Sequence, residues 1–278
     1  MNIITVNNVS FSYPGNLKNA ISGVSFSAEH GEHIALVGPN GSGKTTLIQN
    51  LNGIFRPSNG EVLLDGKNIQ AYPILERARR IAYVPQGGKI NFPFTCFELT
   101  LMGLYPHFSL SAFPQKDAAL ERAEAIMKET GVWGFASKIA NTLSGGELQR
   151  VLFTRALLQI FPDPQETEST PSASGNFPRL LLLDEAFSEL DIAARINMMK
   201  LLNKMLKEQN FTVIGIHHDL QLAYRFCSRI IALHDGCIAA DGPPDEIFTE
   251  AFFSRVFAVK AEIIHGKGFL FQDALDRY

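Results

Sequence analysis

Gly38-Pro39-Asn40-Gly41-Ser42-Gly43-Lys44-Thr45-Thr46 fits the pattern G-x-x-x-x-G-K-[ST] at every position. The apolar run Ile34-Ala35-Leu36-Val37 precedes it, and Leu47-Ile48-Gln49-Asn50-Leu51 follows with apolar residues at helical spacing. The glycines therefore lie between a strand and a helix, the setting in which this pattern forms a phosphate cradle. Gly38, Gly41 and Gly43 let backbone N–H groups turn toward one point. The helix that begins near Gly43 adds the positive end of its dipole. Lys44 is placed to reach the β- and γ-phosphates of ATP, and the Thr45 hydroxyl to ligate Mg²⁺. A glycine-rich turn that binds nothing is the plainer alternative for the motif alone.

The chain has 278 residues, 46% of them hydrophobic, enough for a substantial core. Its net charge of -3 argues against a general nucleic-acid binder, so phosphate affinity must be local. The three cysteines, Cys96, Cys227 and Cys237, form no C-x-x-C pair. Neither a zinc site nor a disulfide framework is expected, and buried thiols in a reducing compartment are the simpler reading. Met1-Asn2-Ile3-Ile4-Thr5 lacks the charged and apolar regions of a signal peptide. The aliphatic run Leu180 to Leu183 stops at Asp184-Glu185, well short of the ~20 apolar residues that cross a bilayer. Any membrane link is expected to pass through a partner.

In chain order, residues 3–11, 24–28 and 33–37 read as strands. Tyr13 stands ahead of the phosphate loop. It could stack on an adenine ring, although packing is the commoner role of a tyrosine in a turn. Residues 47–54 read as a helix, and 61–64 and 81–84 as strands. Gln86 follows the last of these beside Gly87-Gly88, where its amide could bind Mg²⁺ or an attacking water. From about 92 to 160 the pattern becomes helical, with helices expected over 98–104 and 117–130 and with Asp117 as an N-cap. Leu143-Ser144-Gly145-Gly146-Glu147 opens another helix through Ala156. Ser144 and Glu147 have capping-box spacing, but a double glycine in a first turn weakens a helix. Bare N–H groups there would suit a second phosphate surface.

Residues 162–178 hold four prolines among serines and acids, and read as a mobile surface loop. Leu180-Leu181-Leu182-Leu183-Asp184-Glu185 reads as a buried parallel strand with two acids at its carboxyl end. Asp184 can hold Mg²⁺ through water, and Glu185 can polarise the water that attacks the γ-phosphorus. Ser188-Glu189-Leu190-Asp191 leads into a helix over 193–208. Phe211 to Ile216 reads as a strand that ends at His217-His218-Asp219, where a histidine can meet a γ-phosphate. Residues 229–233 and 237–240 read as a hairpin through Asp235-Gly236. Residues 243–278 read as one or two helices and a tail.

Taken together, about residues 2–260 resemble the ATP-binding subunit of an ABC transporter. The family's phosphate loop matches 38–46, its glutamine loop Gln86, and its signature L-S-G-G-[EQ] matches Leu143 to Glu147 in full. Its acidic strand matches 180–185, its S-x-L-D loop 188–191, and its switch histidine His218. The resemblance implies an α/β fold: a P-loop NTPase (RecA-like) core with an antiparallel β subdomain and a helical subdomain. It implies an ATPase domain over 1–260, with the helical part at about 92–160 and a tail at 261–278. Lys44, Gln86, Glu185 and His218 would be catalytic. Tyr13, Gly38, Pro39, Asn40, Gly41, Ser42, Gly43, Lys44, Thr45, Thr46, Ser144, Gly145, Gly146 and Asp191 would hold ATP. Thr45, Gln86 and Asp184 would hold Mg²⁺.

The resemblance also implies a second copy of the chain that sandwiches ATP against the first, Ser144 to Gly146 serving the partner's nucleotide. Membrane permease subunits would dock on the pair at the cytoplasmic face of the membrane, with a substrate-binding protein acting beyond them and no nucleic acid. Ala186 and Phe187 depart from the Pro and Thr usual after the glutamate. Met102-Gly103-Leu104-Tyr105-Pro106-His107 and His218-Asp219-Leu220-Gln221-Leu222-Ala223 are similar to stretches of importer subunits for iron chelates, haem and cobalamin, with Leu104 where Arg is usual. The inserted residues 162–178 resemble those of haem importers. An importer for a bare metal ion and a soluble ABC ATPase are the alternatives.

Overall fold

A continuous run of apolar residues is what a strand buried on both faces requires. Three such strands, His33–Val37, Leu180–Leu183 and Thr212–Ile216, have every residue buried. They organise the computed structural model, which describes residues 2–88, 90–108, 117–161, 179–264, 266 and 268–271. The expected loop over 162–178 lies outside the described residues. The chain divides into two compact units, Met1–Gln70 with Thr212–Tyr278, and Ala71–Phe211.

The first unit begins with β1 (Asn2–Phe11), β2 (Ile21–Glu29), β3 (His33–Val37), helix α1 (Lys44–Leu51), β4 (Asn59–Leu64) and β5 (Lys67–Asn68). Strands β2, β1, β4 and β5 make an antiparallel sheet in that order. Helix α1 stops at Leu51, three residues before the expected Ile54. Gly53, at φ 70°, takes the left-handed conformation that ends helices.

The second unit comprises α2 (Ile74–Arg80), β6 (Ile81–Val84), α3 (Cys96–Leu101), α4 (Asp117–Glu129), α5 (Gly145–Ile160), β7 (Leu180–Leu183) and α6 (Ile192–Glu208). Strands β6 and β7 pair in parallel, Val84 opposite Leu183. Helices α3 and α4 pack on α5, whose Val151, Leu152, Phe153, Ala156, Leu157 and Ile160 are buried. Asp117 lies in the first turn of α4. The helix expected over 98–104 is shorter: α3 ends at Leu101 and a 3₁₀ stretch runs from Met102 to His107. Pro106 has no N–H to donate to residue 102, so the α pattern cannot continue through it. This stretch packs on α5, with Leu104 buried and a His107 ring nitrogen 2.7 Å from the Gln159 carbonyl. Burial lowers the His107 pKa to about 4, so its ring is neutral at pH 7.

The chain returns to the first unit through β8 (Thr212–Ile216), α7 (Leu220–Phe226), β9 (Arg229–His234), β10 (Cys237–Gly242), α8 (Pro244–Ile247), α9 (Glu250–Phe257), β11 (Ala261–Ile264) and β12 (Gly268–Phe271). Strand β3 pairs in parallel with β8 on one side and β9 on the other, and β10 closes on β9 as the expected hairpin. Its turn uses Asp235 and Gly236, both at positive φ. The stretch expected to be a tail instead holds the antiparallel pair β11–β12. Phe269 of β12 lies 4.4 Å from Phe253 of α9 and 5.4 Å from Phe248, ring centre to ring centre. The Gln221 amide on α7 donates to the Phe269 carbonyl. Cys96 and Cys227 are buried as expected, whereas Cys237 is exposed on β10.

Candidate functional site

The cradle in the first unit is fixed by backbone packing. Gly38 has φ 142° and Gly43 has φ 98°, a region closed to most side chains. A Cβ on Gly38 would fall 2.1 Å from the Leu233 carbonyl oxygen, and one on Gly43 would fall 2.6 Å from that of Ala20. Only glycine fits at either place. Gly43 precedes α1 and offers no side-chain cap to its first turn. Lys44 is almost wholly buried. Its ammonium donates to the carbonyls of Gly38 and Pro39, both at 2.9 Å, so it spans the loop from inside. The Ser42 hydroxyl is buried without a hydrogen-bond partner, and Thr45 is exposed. A loop curved around a buried lysine, with an unsatisfied hydroxyl beside it, fits a bound phosphate tail.

Beside the loop lies a cavity of about 380 Å³, lined by Tyr13, Asn16, Lys18, Gly41 and Asp235 among others. Tyr13 meets Phe11 and Phe55 edge-on, and its hydroxyl lies 3.0 Å from that of Thr46 on α1. Packing and cavity lining coincide in this one side chain. His217 and His218 part company after β8. His218 is exposed; His217 is half-buried, with its Nε2 sealed from solvent. Burial, then the neighbouring His33, lowers the His217 pKa to about 3. His218 is thus the histidine available at the surface.

In the second unit, the parallel pairing of β6 and β7 brings Gln86 and Asp184-Glu185 out at the same end. The Asp184 N–H donates to the Val84 carbonyl at 2.9 Å. Asp184 is buried and accepts from the Tyr83 hydroxyl at 3.1 Å. The Gln86 amide donates to a Glu185 carboxylate oxygen at 2.6 Å. Glu185 has φ 52°, strained for a residue with a side chain and typical of functional positions. A buried acid fits a Mg²⁺ ligand, and a carboxylate held by a neutral amide can exchange that amide for an arriving water.

Ser144 caps α5 with a complete capping box. Its N–H and hydroxyl donate to one Glu147 oxygen at 2.9 and 2.8 Å, and the Glu147 N–H donates back at 3.4 Å. These bonds to Ser144 hold the Glu147 carboxyl below the usual carboxylate range. The double glycine has a reason that the sequence hid. A Cβ on Gly145 would lie 1.7 Å from the Glu189 carboxylate, and one on Gly146 would lie 2.9 Å from the Glu189 carbonyl. The loop 188–191 thus runs against the start of α5. Asp191 caps α6, accepting from the Ala194 N–H at 2.8 Å. Sequence reasoning overlooked Arg195, whose guanidinium donates to the carbonyls of Phe187, Ser188 and Leu190 and so braces that loop. Ala186 and Phe187 are buried, and Phe187 meets Phe153 edge-on at 5.2 Å. The departure from the usual sequence serves packing.

Gripping a phosphate tail with a glycine loop between strand and helix is what P-loop ATPases share, and the chain is of that class. Its relatives narrow the class. The ABC transporter family matches residues 21–161. A hemin import ATP-binding protein, HmuV, of Rhodopseudomonas palustris is 38% identical over 240 residues, which cover 86% of this chain and 83% of that one. The chain belongs to the ABC transporter family, as one of its ATP-hydrolysing subunits. Among solved structures, a dimeric ATP-binding cassette in a post-hydrolysis state with ADP and Pi bound is 26% identical, with a TM-score of 0.72 over 87% of this chain and 98% of that one. The inward-facing conformation of a metal-chelate type ABC transporter shares the fold, with a TM-score of 0.78, 23% identity and 99% of each chain covered. Among the described residues no helix is long and apolar enough to cross a membrane.

Proposed function

We propose that the chain powers the import of haem or a related iron complex through a membrane permease. The observation that carries this reading is the 38% identity, over 86% of the chain, with a protein named for hemin import. ATP lies on the loop 38–46 with its adenine against Tyr13, and Lys44 exchanges the carbonyls of Gly38 and Pro39 for the β- and γ-phosphate oxygens. Thr45, Asp184 and Gln86 would hold Mg²⁺, which would neutralise phosphate charge there. Glu185 orients and polarises the attacking water, and the Gln86 amide releases its carboxylate as that water arrives. His218 donates to the γ-phosphate.

Two copies face each other. Ser144, Gly145 and Gly146 of one close over the nucleotide of the other, and Asp191 sets the intervening loop. The γ-phosphate then bridges two surfaces until hydrolysis removes it, which turns local contacts into motion. The pair sits on permease subunits at the cytoplasmic face of the membrane, and a substrate-binding protein delivers the cargo from the far side. The test is reconstitution in vesicles with the permease that copurifies with the chain. ATP-driven accumulation of haem is the expected result. Accumulation of cobalamin or a bare metal ion in place of haem would overturn the cargo, and uptake independent of ATP would overturn the role.

A further inference from the structure

We propose that His33, His217 and Cys227 form a transition-metal site of the zinc class, separate from the nucleotide site. Their donor atoms all lie within 4.8 Å of one another. His33 and Cys227 are buried, and the two imidazole rings stand 5.8 Å apart, tilted by 64°. Zinc holds His nitrogen at ~2.0 Å and Cys sulfur at ~2.3 Å in a tetrahedron, which places the ligand atoms of such a trio about 3.3–3.5 Å apart. Closing the trio around an ion therefore takes a shift of about 1 Å, within the reach of side-chain rotation alone.

The register of the sheet makes the room. Ala35 of β3 pairs with Gly215 of β8, and His33 pairs with Val213. Alternation along the strands puts His33, Ala35, Gly215 and His217 on one face. The two rings can therefore lean toward each other over two of the smallest residues. Helix α7 packs on β3, and its C-terminal cap is Cys227. The Ser228 N–H donates to the His33 carbonyl at 2.8 Å and fixes the approach of the thiol.

A packing trio with no ion is the competing account. It leaves the His217 Nε2 buried without a hydrogen-bond partner, an arrangement that folded proteins avoid. A ligated metal satisfies that atom. Burial already keeps His217 neutral, the form that ligates, while it raises the Cys227 pKa, so an ion must displace that proton. The consequence is mechanical. Residues 217 and 227 bracket α7, and an ion would tie both ends of that segment to β3. His218, the next residue after His217, would then be held by whatever metal the cell supplies.

Cobalt(II) titration of the full-length, nucleotide-free chain, stripped of metal under reducing conditions, tests it. One equivalent should give a thiolate-to-cobalt charge-transfer band with tetrahedral d–d bands, and zinc should abolish both. Oxygen ligands at the nucleotide site cannot produce the thiolate band. Cys227→Ser should lose it, while Cys237→Ser and Cys96→Ser keep it. Absence of the band in the wild type, or its survival in Cys227→Ser, overturns the proposal. Zinc-edge X-ray absorption on the unaltered chain gives a result that no folding defect can cloud. A shell with one sulfur and two imidazoles supports the site, and a shell of oxygens alone overturns it.

Discussion

Glycine stands at the start of α1, as its N-cap Gly43, and of α5, as its first residue Gly145, and the two helices begin in opposite ways. Gly43 precedes α1 with no side-chain cap, and backbone packing that excludes any Cβ shapes the loop before it. Ser144 precedes α5 with its hydroxyl and N–H both engaged by Glu147. The first start is preformed and keeps its polar end for a ligand. The second is satisfied internally, so a nucleotide that reaches it must compete with a carboxylate. A cradle made of backbone can only be present or absent. A surface made of exchangeable side-chain bonds can be switched.

The largest expected effect lies at neither helix start. Glu185→Gln should slow phosphate release about 100- to 10,000-fold, the usual worth of a general base, while ATP binding is retained. Hydrolysis at the wild-type rate would mean that the two helix starts suffice and that the base has been misassigned. Next, Gly43→Ala should cost about 3 kcal/mol or more in denaturant unfolding, because a positive φ and a close backbone carbonyl add together. Unchanged stability would show that the cradle is as adaptable as the α5 start.

Within α5 the two glycines should differ. Gly146→Ala meets the Glu189 carbonyl, which cannot swing away, and should cost about 1–2 kcal/mol after the helix-propensity gain. Gly145→Ala meets only the mobile end of Glu189 and should stay within about 0.5 kcal/mol of wild type. Equal losses would indicate that the loop 188–191 is rigid throughout. Ser144→Ala should cost about 1 kcal/mol through loss of the cap. The Glu147 part of that cap follows pH. Its folded pKa is depressed, so its contribution is full above the ordinary value of 4.5 and fades as pH falls through the folded value. The gap between the thermal melts of wild type and Ser144→Ala should therefore narrow in acid; a constant gap would remove the Glu147 carboxylate from the cap.

Elements whose instructions are local were legible in the sequence. The loop 38–46, the run Leu180 to Leu183 and the capping box at Ser144 each declare themselves within a few residues, and β3, β6 and β7 have the expected bounds. Short elements without a continuous apolar run were not legible. Helix α7 has seven residues, too few to establish a period, and β11 and β12 have four each. Contacts across long stretches of chain leave no local trace. The need for glycine at 146 arises at the Glu189 backbone, and His33 meets His217 only because β3 and β8 are neighbours. The cysteine spacing likewise hid Cys227 as a candidate ligand, since its companions come from other elements.

The hairpin β11–β12 has a practical reading. Phe269 covers Phe253, and its carbonyl receives the Gln221 amide of α7, two residues beyond the N-cap Asp219. A shortened version stopping at 260 would lose the aromatic lid of α9 and one tether of the helix that follows His218. Protein engineers trimming this end for crystals should expect faster deuterium uptake over residues 220–226 once β12 is removed.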